Sequence, residues 1–272
     1  MIKKWGTYHT KFLKHEYLFR YTKKEHIIDM FQYQSLYLTQ MDRFDDKLEG
    51  ISTFDIPELL SSYKDFFQDD IKDDSYSPYY LNLIKEDAKN RLNNVRKRLL
   101  DGQRLHFVSC WFNSNRESDG MWRFYGKENG FAIKVSLKAL EKSIQESVDI
   151  NAVANNQFVR VGKIKYQDFP NVMNNEPSNS VLYLAFRKDD AFSHENEYRI
   201  VFMDRTDYPQ NYKFYKIKNF SKLDITIICH PGMEHLEFLE AKIEFEKFGS
   251  NIHVKKSELE PFYQLFSRTK EI

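Results

Sequence analysis

The chain has 272 residues, of which 41% are hydrophobic and 30% are charged, and its formal net charge is +1. This composition is typical of a folded globular protein and excludes intrinsic disorder and a membrane-embedded bundle. The near-neutral charge gives no overall attraction to nucleic acid or anionic lipid, so a polyanionic partner requires a local basic patch. The length fits one domain with an insertion, or two small domains.

The cysteines and the N-terminal residues bear on the cellular compartment. Cys110 and Cys229 each lie in an apolar run, which favours buried free thiols in a reducing environment. Residues 1–6 lack the apolar stretch of a signal peptide, and no run of about 18 apolar residues occurs in the sequence. These features predict a cytoplasmic protein with no membrane partner.

The hydrophobic pattern of the first half predicts strands interrupted by helices. Strands are expected at 17–21, 35–39, 105–112 and 130–135. A capping box of Thr22 and Glu25 is expected to start a helix after the first strand. Residues 51–100 have a charged helical pattern that predicts a helical insertion, with the Asp-, Ser- and Pro-rich segment 69–78 as its least ordered part. A short helix is expected at 119–125.

The second half continues the mixed pattern. Helices are expected from Leu137 onward after the capping residue Ser136, at 181–187 and at 237–248. Strands are expected at 158–166, 198–202, 224–229 and 252–254. These elements predict an α+β protein that forms a single domain over residues 1–272, with a mixed, mostly antiparallel sheet, flanking helices and the helical insertion.

The densest group of chemically active side chains lies at the entrance of the strand 198–202, where the sequence reads His-Glu-Asn-Glu-Tyr-Arg from position 194. Side chains alternate along a strand, so Glu195, Glu197 and Arg199 are expected on one face. Two nearby carboxylates can hold a metal, share acid and base roles or stabilise a developing cation, and the arginine can bind phosphate. The simpler interpretation is a solvated strand end with a surface ion pair.

Four segments in sequence order resemble the bacterial family known as domain of unknown function 2971. They are Tyr17–Thr22, Phe44–Glu49, Ser109–Ile133 and Lys188–Arg199. The family pattern has a Leu-Tyr-x-Tyr strand, then Phe-Asn-Asp-Pro-x-Glu, a Met-Trp-x-x-Tyr helix leading to Gly-Phe, and Lys-x(3)-Trp-x(2)-Glu-x-Glu-x-Arg. The second segment keeps Asp46 and Glu49 in a corner expected to be exposed, and the fourth has Phe192 in place of Trp. The resemblance implies a fold and a set of positions rather than a reaction.

The order of these segments is also similar to the plan of the ADP-ribosyltransferase superfamily, whose members use an early His or Arg, a middle Tyr or Ser and a late Glu. The resemblance implies an ADP-ribosyltransferase-like fold in which Arg20 contacts NAD⁺ and Tyr125 or Trp122 stacks on nicotinamide. It further implies that Glu197 binds a ribose hydroxyl and stabilises positive charge on the sugar, while Glu195 orients a protein or nucleic-acid acceptor. The function implied is a nucleotide-using transferase with NAD as substrate, in phage defence or toxin biology.

This transferase interpretation predicts one cleft in the sheet. The catalytic residues expected there are Arg20, Tyr125, Glu195 and Glu197. The expected substrate-binding residues are Trp122, Arg199, Lys188, Asp46 and Glu49. Because Arg20 and Glu197 are far apart in the chain, their position across one cleft is the most direct geometric expectation.

Two other functions stay open. A metal-dependent nuclease would hold Mg²⁺ beside Lys188 with oxygen ligands from Asp46, Glu49, Glu195 and Glu197. A non-enzymatic binding module of a defence system would recognise a ligand through aromatic residues. The His and Cys spacing does not match a zinc site, and the sequence contains neither Gly-x-Gly-x-x-Gly nor a Walker A motif. We therefore expect no structural zinc and no bound metal cofactor.

Overall fold

The computed structural model describes residues 5–8, 15–46, 49–50, 58, 61–64, 66, 77–127, 129–151, 157–169, 184–205, 210–261 and 265. Over these residues the fold is α+β, with a mixed, mostly antiparallel sheet and several helices, as expected. Within this part of the chain, no helix combines the length and the apolar character needed to cross a membrane.

The described residues form twelve strands. They are β1 (Trp5–Tyr8), β2 (Tyr17–Thr22), β3 (Ser35–Gln40), β4 (His106–Asn113), β5 (Phe131–Ser136), β6 (Gln157–Lys163), β7 (Lys165–Gln167), β8 (Arg187–Asp189), β9 (Glu197–Asp204), β10 (Tyr212–Lys216), β11 (Ile225–Cys229) and β12 (Ile252–Lys256). The α-helices are α1 (Lys24–Tyr33), α2 (Pro78–Arg104), α3 (Asp119–Met121), α4 (Leu137–Glu146), α5 (Val148–Asn151) and α6 (His235–Glu246). A π-helical turn, Trp122–Gly126, continues α3, and 3₁₀ turns occupy Met41–Arg43, Asp190–Glu195 and Phe220–Lys222.

The expected strands are all present, with most ends shifted by a residue or two and with the strand expected at 158–166 divided into β6 and β7. Three strands were missed: β1, β8 and β10. The first helix is present, but its capping box is wrong, because Thr22 Oγ1 bonds His26 Nδ1 at 3.0 Å and the N-cap position is Lys23. The helix expected at 181–187 is also wrong over its described part, residues 184–187. There Leu184 is helical but Arg187 opens β8, and residues 181–183 lie outside the described residues.

Ten strands form one sheet in the order β1-β6-β9-β4-β2-β5-β11-β12, and β3 branches from β4 and carries β10. The strands β7 and β8 form a separate parallel pair. The strand β9 is buried along its whole length because it lies between β4 and β6.

A fork in the sheet determines where the site forms. The strand β2 pairs with β4 only at Leu18–Asn113 and Phe19–Phe112, whereas β3 pairs with β4 at Thr39–Val108 and Gln40–Phe107. The middle of β4, residues 109–111, therefore faces a gap between β2 and β3. Arg20 on β2 spans this gap, since its Nη1 donates to Tyr37 O at 3.1 Å and to Ser109 Oγ at 2.5 Å.

The two faces of the sheet are covered differently. The helices α1, α4 and α6 contribute to one large core that includes Ile27, Leu140 and Phe245. On the opposite face lie two smaller apolar clusters, one around Trp122 and one around Phe186. Side-chain alternation places Tyr198 of β9 in the large core and leaves its charged neighbours on the opposite face.

The region expected to be a helical insertion is partly described. The helix α2 occupies 78–104, residues 61–64 are also helical, and Arg98 pairs with Glu58 at 2.6 Å. The C-terminal end of α2 contacts the sheet, because Gln40 Nε2 donates to Arg104 O at 2.8 Å. Most of the segment 69–78, for which we expected the least order, lies outside the described residues. The single-domain organisation stays a prediction.

Candidate functional site

A cavity of about 380 Å³ lies between the two small clusters, at the fork of the sheet. Its volume lies within the range of small-molecule pockets, roughly 300–1,000 Å³. The aromatic side chains that line it are Phe19, Tyr21, Phe44, Trp111, Phe112, Tyr125 and Phe192. The charged side chains that line it are Arg20, Arg43, Asp45, Asp46, Glu49, Lys188, Glu195 and Glu197. The cavity thus combines ring surfaces with charges of both signs.

The ammonium group of Lys188 lies among three carboxylates. Its Nζ is 2.6 Å from Glu195 Oε2, 2.9 Å from Glu49 Oε1 and 3.9 Å from Glu197 Oε2. Each of these four side chains is at most 7% exposed. The simpler interpretation of a solvated strand end is therefore wrong, because this is a buried ion cluster.

A second buried cation pairs with two of the same carboxylates. Arg199 is completely buried, pairs with Glu49 and with Glu197 Oε2 at 2.8 Å, and donates to Ala185 O at 2.9 Å. Three carboxylates face two cations, which leaves a formal charge of −1 at the floor of the cavity. Arg199 was expected to line the cleft and bind substrate; it lies instead behind Glu197, where it fixes that carboxylate.

The two glutamates of the Glu-x-Glu motif meet through a turn. Glu195 ends the 3₁₀ turn Asp190–Glu195, and Glu197 begins β9. Asn196 between them has φ 38°, in the left-handed region that Asn tolerates better than most residues. Its backbone N–H is held by Ser193 O at 3.2 Å, and its C=O accepts from Asn113 N–H at 3.0 Å. The predicted shared face is right for Glu197 and Arg199, but Glu195 is not part of the strand.

The corner expected to be exposed contributes a buried carboxylate. Glu49 is 2% exposed, and its C=O accepts from Gln103 Nε2 of α2 at 2.6 Å. The next residue, Gly50, has φ +75°, and a Cβ at this position would lie 2.4 Å from Met41 Sδ. Glycine is therefore required for the chain to turn directly after Glu49. Asp46 of the same corner lines the cavity and is half-buried.

The π-helical turn places Tyr125 at the cavity and Trp122 in the core. The Tyr125 hydroxyl donates to Glu195 Oε1 at 2.6 Å, and the ring is 46% exposed. Trp122 is completely buried, donates to Glu117 Oε2 at 3.1 Å and meets the Tyr21 ring edge-on at 4.8 Å. The expectation that Trp122 lines the cleft is thus wrong, and Tyr125 is the residue of this turn that lines the cavity. π-Helical turns occur frequently at functional sites.

Arg20 and Glu197 line the same cavity, so the geometric expectation holds for this pair. They belong to different walls. The guanidinium of Arg20 lies 5.9 Å from the centre of the Trp111 ring, at the fork, whereas Glu197 belongs to the ion cluster. The cavity therefore has the Arg20 guanidinium at the fork and the ion cluster at its floor, and Arg43 is a further cation of its lining.

The protonation of the cluster follows from its contacts. Burial by itself lowers the pKa of Lys188, but the carboxylates of Glu197 and Glu49 outweigh it and raise the pKa. The same balance raises the pKa of Arg199, so both cations keep their charge at neutral pH. Burial, followed by the hydrogen bond to Glu195, raises the pKa of Tyr125, which stays a hydrogen-bond donor.

Sequence reasoning missed Cys110 and Arg43 as cavity residues. Cys110 lies on the same face of β4 as Val108 and Phe112, and all three line the cavity. Burial, followed by the charge of Glu197, raises the pKa of the Cys110 thiol, which favours its protonated form in the cavity wall. Strand alternation was the signal available for Cys110, but the fork that opens this face is not visible in the sequence.

In the part of the chain that the structure describes, no group of three His, Cys, Asp or Glu side chains is arranged to hold a metal ion. The geometry gives the reason. Lys188 Nζ lies between the three glutamates, at the place that a divalent cation would have to occupy to take their carboxylates as oxygen ligands. Three of the four ligands expected for a nuclease, Glu49, Glu195 and Glu197, thus surround an internal ammonium.

Comparison with known families adds one finding. The family described as "Protein of unknown function (DUF2971)" matches residues 121–200. The resemblance to DUF2971 is confirmed. This DUF2971 segment contains Tyr125, Lys188 and the Glu-x-Glu motif, and it leaves out Arg20 and Glu49. No curated protein and no solved structure matched the chain. The family description assigns no activity, so the function has to be argued from the site.

Proposed function

We propose that the chain is a nucleotide-using transferase of the ADP-ribosyltransferase type, which takes NAD⁺ as substrate and transfers ADP-ribose to a protein or nucleic-acid acceptor. One observation carries the proposal. Arg20, Tyr125 and the two glutamates Glu195 and Glu197 line a single aromatic cavity, although Arg20 is more than a hundred residues from the others in sequence.

The charge distribution supports a ligand with a cationic ring and an anionic tail. The floor carries a formal charge of −1 and is buried, so its attraction for a cation is only weakly screened. A pyridinium ring is both flat and positively charged, and it stacks on aromatic rings such as Tyr125. Arg20 at the fork and Arg43, which also lines the cavity, suit the phosphates.

The reaction follows from this placement. The bond between the ribose C1′ and the nicotinamide nitrogen breaks, and its electron pair leaves with nicotinamide, which becomes neutral. Positive charge develops on the sugar and is stabilised by the Glu197 carboxylate. An acceptor nucleophile oriented by Glu195 then forms the new bond to C1′ and releases its proton to solvent. Lys188 and Arg199 hold the carboxylates in place, so little reorganisation is needed as the charge develops.

The metal-dependent nuclease fits the site less well. A metal-dependent nuclease requires the glutamates to exchange Lys188 for a divalent ion, and their shortest contacts are to the ammonium and guanidinium groups. A binding module would use the same cavity without turnover. Measurement of nicotinamide release separates both from the transferase.

The test replaces Glu197 by Gln, which keeps the size of the side chain and removes its charge. We expect kcat for nicotinamide release to fall about 100-fold or more, the scale of a lost preorganised electrostatic contact, and NAD⁺ affinity to fall much less, because the ground-state ring loses only part of its attraction to the floor. A chelator is present throughout, and candidate proteins and nucleic acids are supplied as acceptors. Urea denaturation checks that the variant protein still folds.

The matched control is Glu141→Gln. The Glu141 carboxylate accepts a hydrogen bond from Tyr198, the neighbour of Glu197 whose side chain lies on the opposite face of β9. This variant should keep wild-type turnover. A wild-type protein that releases no nicotinamide under these conditions contradicts the transferase proposal, and equal losses in both variants contradict the role of Glu197.

A further inference from the structure

A stack of aromatic side chains stands beside the cavity and has no part in the reaction proposed above. The rings of His26 and Tyr37 are 5.7 Å apart with 6° between their planes, and those of Tyr37 and Tyr212 are 5.1 Å apart with 23° between them. These three residues form what we call the aromatic column. Tyr212 is 48% exposed, so the column ends on a ring that is open to solvent.

The column continues the wall of the cavity. Tyr212 on β10 lies directly opposite Thr39 on β3, and Thr39 lines the cavity. Side chains that oppose each other in this way have Cβ atoms about 5 Å apart. Arg43 also lines the cavity, and its Nη2 donates at 2.6 Å to Asn211 Oδ1, one residue before Tyr212. A molecule that extends out of the cavity past Thr39 and Arg43 therefore reaches the Tyr212 ring.

Cross-strand packing explains only part of this arrangement. Tyr37 and Phe214 oppose each other in the register and pack at 5.7 Å, which stabilises the pairing of β3 with β10. Tyr212 opposes Thr39, packs against Tyr37 and Phe214, and still leaves about half of its surface in water. An aromatic face that is partly exposed at the mouth of a cavity is a surface on which a planar base can stack.

The charges around the column favour a single nucleotide over a nucleic-acid strand. Arg20 and Lys23 contribute positive charge near His26, but Glu25 and Asp29 of α1 face the same ring. Asp45 and Asp46 add negative charge at the rim of the cavity. A strand of nucleic acid requires a continuous basic track, whereas one nucleotide needs only a local cation beside a ring.

We infer that the aromatic column binds the purine ring of an adenine nucleotide, with Tyr212 stacked on the base and Arg43 beside the phosphates. The inference rests on the proposed function, because it assigns the adenine end of NAD⁺ to the column and the nicotinamide end to the cavity. The cavity, at about 380 Å³, suits one nucleoside half of the dinucleotide, so the other half extends outside.

The test measures ADP binding by calorimetry. In Tyr212→Val the ring is lost and a residue that favours strands takes its place, so β10 is preserved. We expect the affinity for ADP to fall roughly 5- to 150-fold, the range for loss of one base-stacking aromatic. Tyr212→Phe keeps the ring and should keep the affinity. Tyr79→Ala removes a tyrosine that is 74% exposed on α2, and it should leave ADP binding unchanged.

Binding of nicotinamide mononucleotide should be the same in wild type and Tyr212→Val, because that ligand occupies the cavity. The inference is overturned if wild type does not bind ADP at millimolar concentration, or if Tyr212→Val binds ADP as well as wild type does. Neither measurement involves turnover. A protein that binds ADP through Tyr212 but releases no nicotinamide from NAD⁺ would contradict the proposed function and leave the adenine site standing.

Discussion

Replacement of Lys188 by Met tests whether the ion cluster is organised as the structure places it. The substitution keeps the length of the side chain and removes the ammonium group, so three buried carboxylates are left with Arg199 as their cation. The formal charge of the cluster changes from −1 to −2. Loss of one partner from a buried ion pair typically lowers the free energy of unfolding by about 3–5 kcal/mol.

The position of Lys188 determines which part of this range applies. It contacts two carboxylates within 3 Å and a third at 3.9 Å, and its side chain is only 7% exposed. Solvent therefore screens the uncompensated charge poorly, and we expect a loss near 4 kcal/mol on the scale of about 3–5 kcal/mol. Urea denaturation followed by circular dichroism measures this difference.

The pH dependence has a defined sign. The folded pKa of Lys188 is raised above its unfolded value, which is about 10.4. Its stabilising contribution is therefore fully present below about pH 10 and is lost only as the pH rises through the folded pKa. The difference in unfolding free energy between wild type and Lys188→Met should be the same at about pH 7 and about pH 9.

Two further variants make the result decisive. Lys89→Met removes a surface cation that is 3.9 Å from Glu86 and 52% exposed, and it should cost less than about 1 kcal/mol. The double variant Lys188→Met, Glu195→Gln restores the formal charge of −1 and should be more stable than Lys188→Met alone. A double variant that shows simple additive destabilisation would refute the coupling of Lys188 to Glu195 and, with it, the described cluster.

Two other outcomes follow from the geometry. Gly50→Ala forces a side chain into φ +75° against Met41 and should lower the unfolding free energy by about 1–3 kcal/mol. The control Gly102→Ala lies on α2, where nothing lies within 4 Å of the new side chain, and it should raise the unfolding free energy by about 0.5–1 kcal/mol. A Gly50→Ala variant as stable as wild type would contradict the turn after Glu49. The pKa of His26 is lowered by burial first and by the charge of Arg20 second, so an NMR titration of Arg20→Gln should show this pKa moving up towards its ordinary value. An unchanged pKa would contradict the effect of the Arg20 charge on His26.

Much of the fold was predictable because short apolar runs bounded by polar residues are a local signal. The strands β2, β3, β4 and β9 are runs of this kind, rich in aromatic and aliphatic side chains, and their positions followed directly. The strand β10 was not predicted because its outward residues are aromatic and its inward positions include lysine, which reverses the usual apolar-in and polar-out alternation. The three-residue strand β8 is too short to give a period.

The residue types of the site were predictable, but which of its side chains are buried and which line the cavity was not. The sequence singled out the Glu-x-Glu motif, and strand alternation gave the face shared by Glu197 and Arg199. Nothing local distinguishes Arg199, which is buried, from Arg20, which lines the cavity, because that difference arises from the fork between β2 and β3. Trp122 belongs to the core for a related reason, since the π-helical turn directs Tyr125 towards the cavity in its place.

A crystal structure of the protein soaked with NAD⁺, compared with one soaked with Mn²⁺, tests the proposed transferase most directly. We expect nucleotide density with the nicotinamide ring between Tyr125 and the glutamates, while Lys188 keeps its place among the carboxylates in both crystals. Density for Mn²⁺ at the centre of Glu49, Glu195 and Glu197, with Lys188 displaced and the cavity free of nucleotide, would contradict the transferase and favour a metal-dependent nuclease.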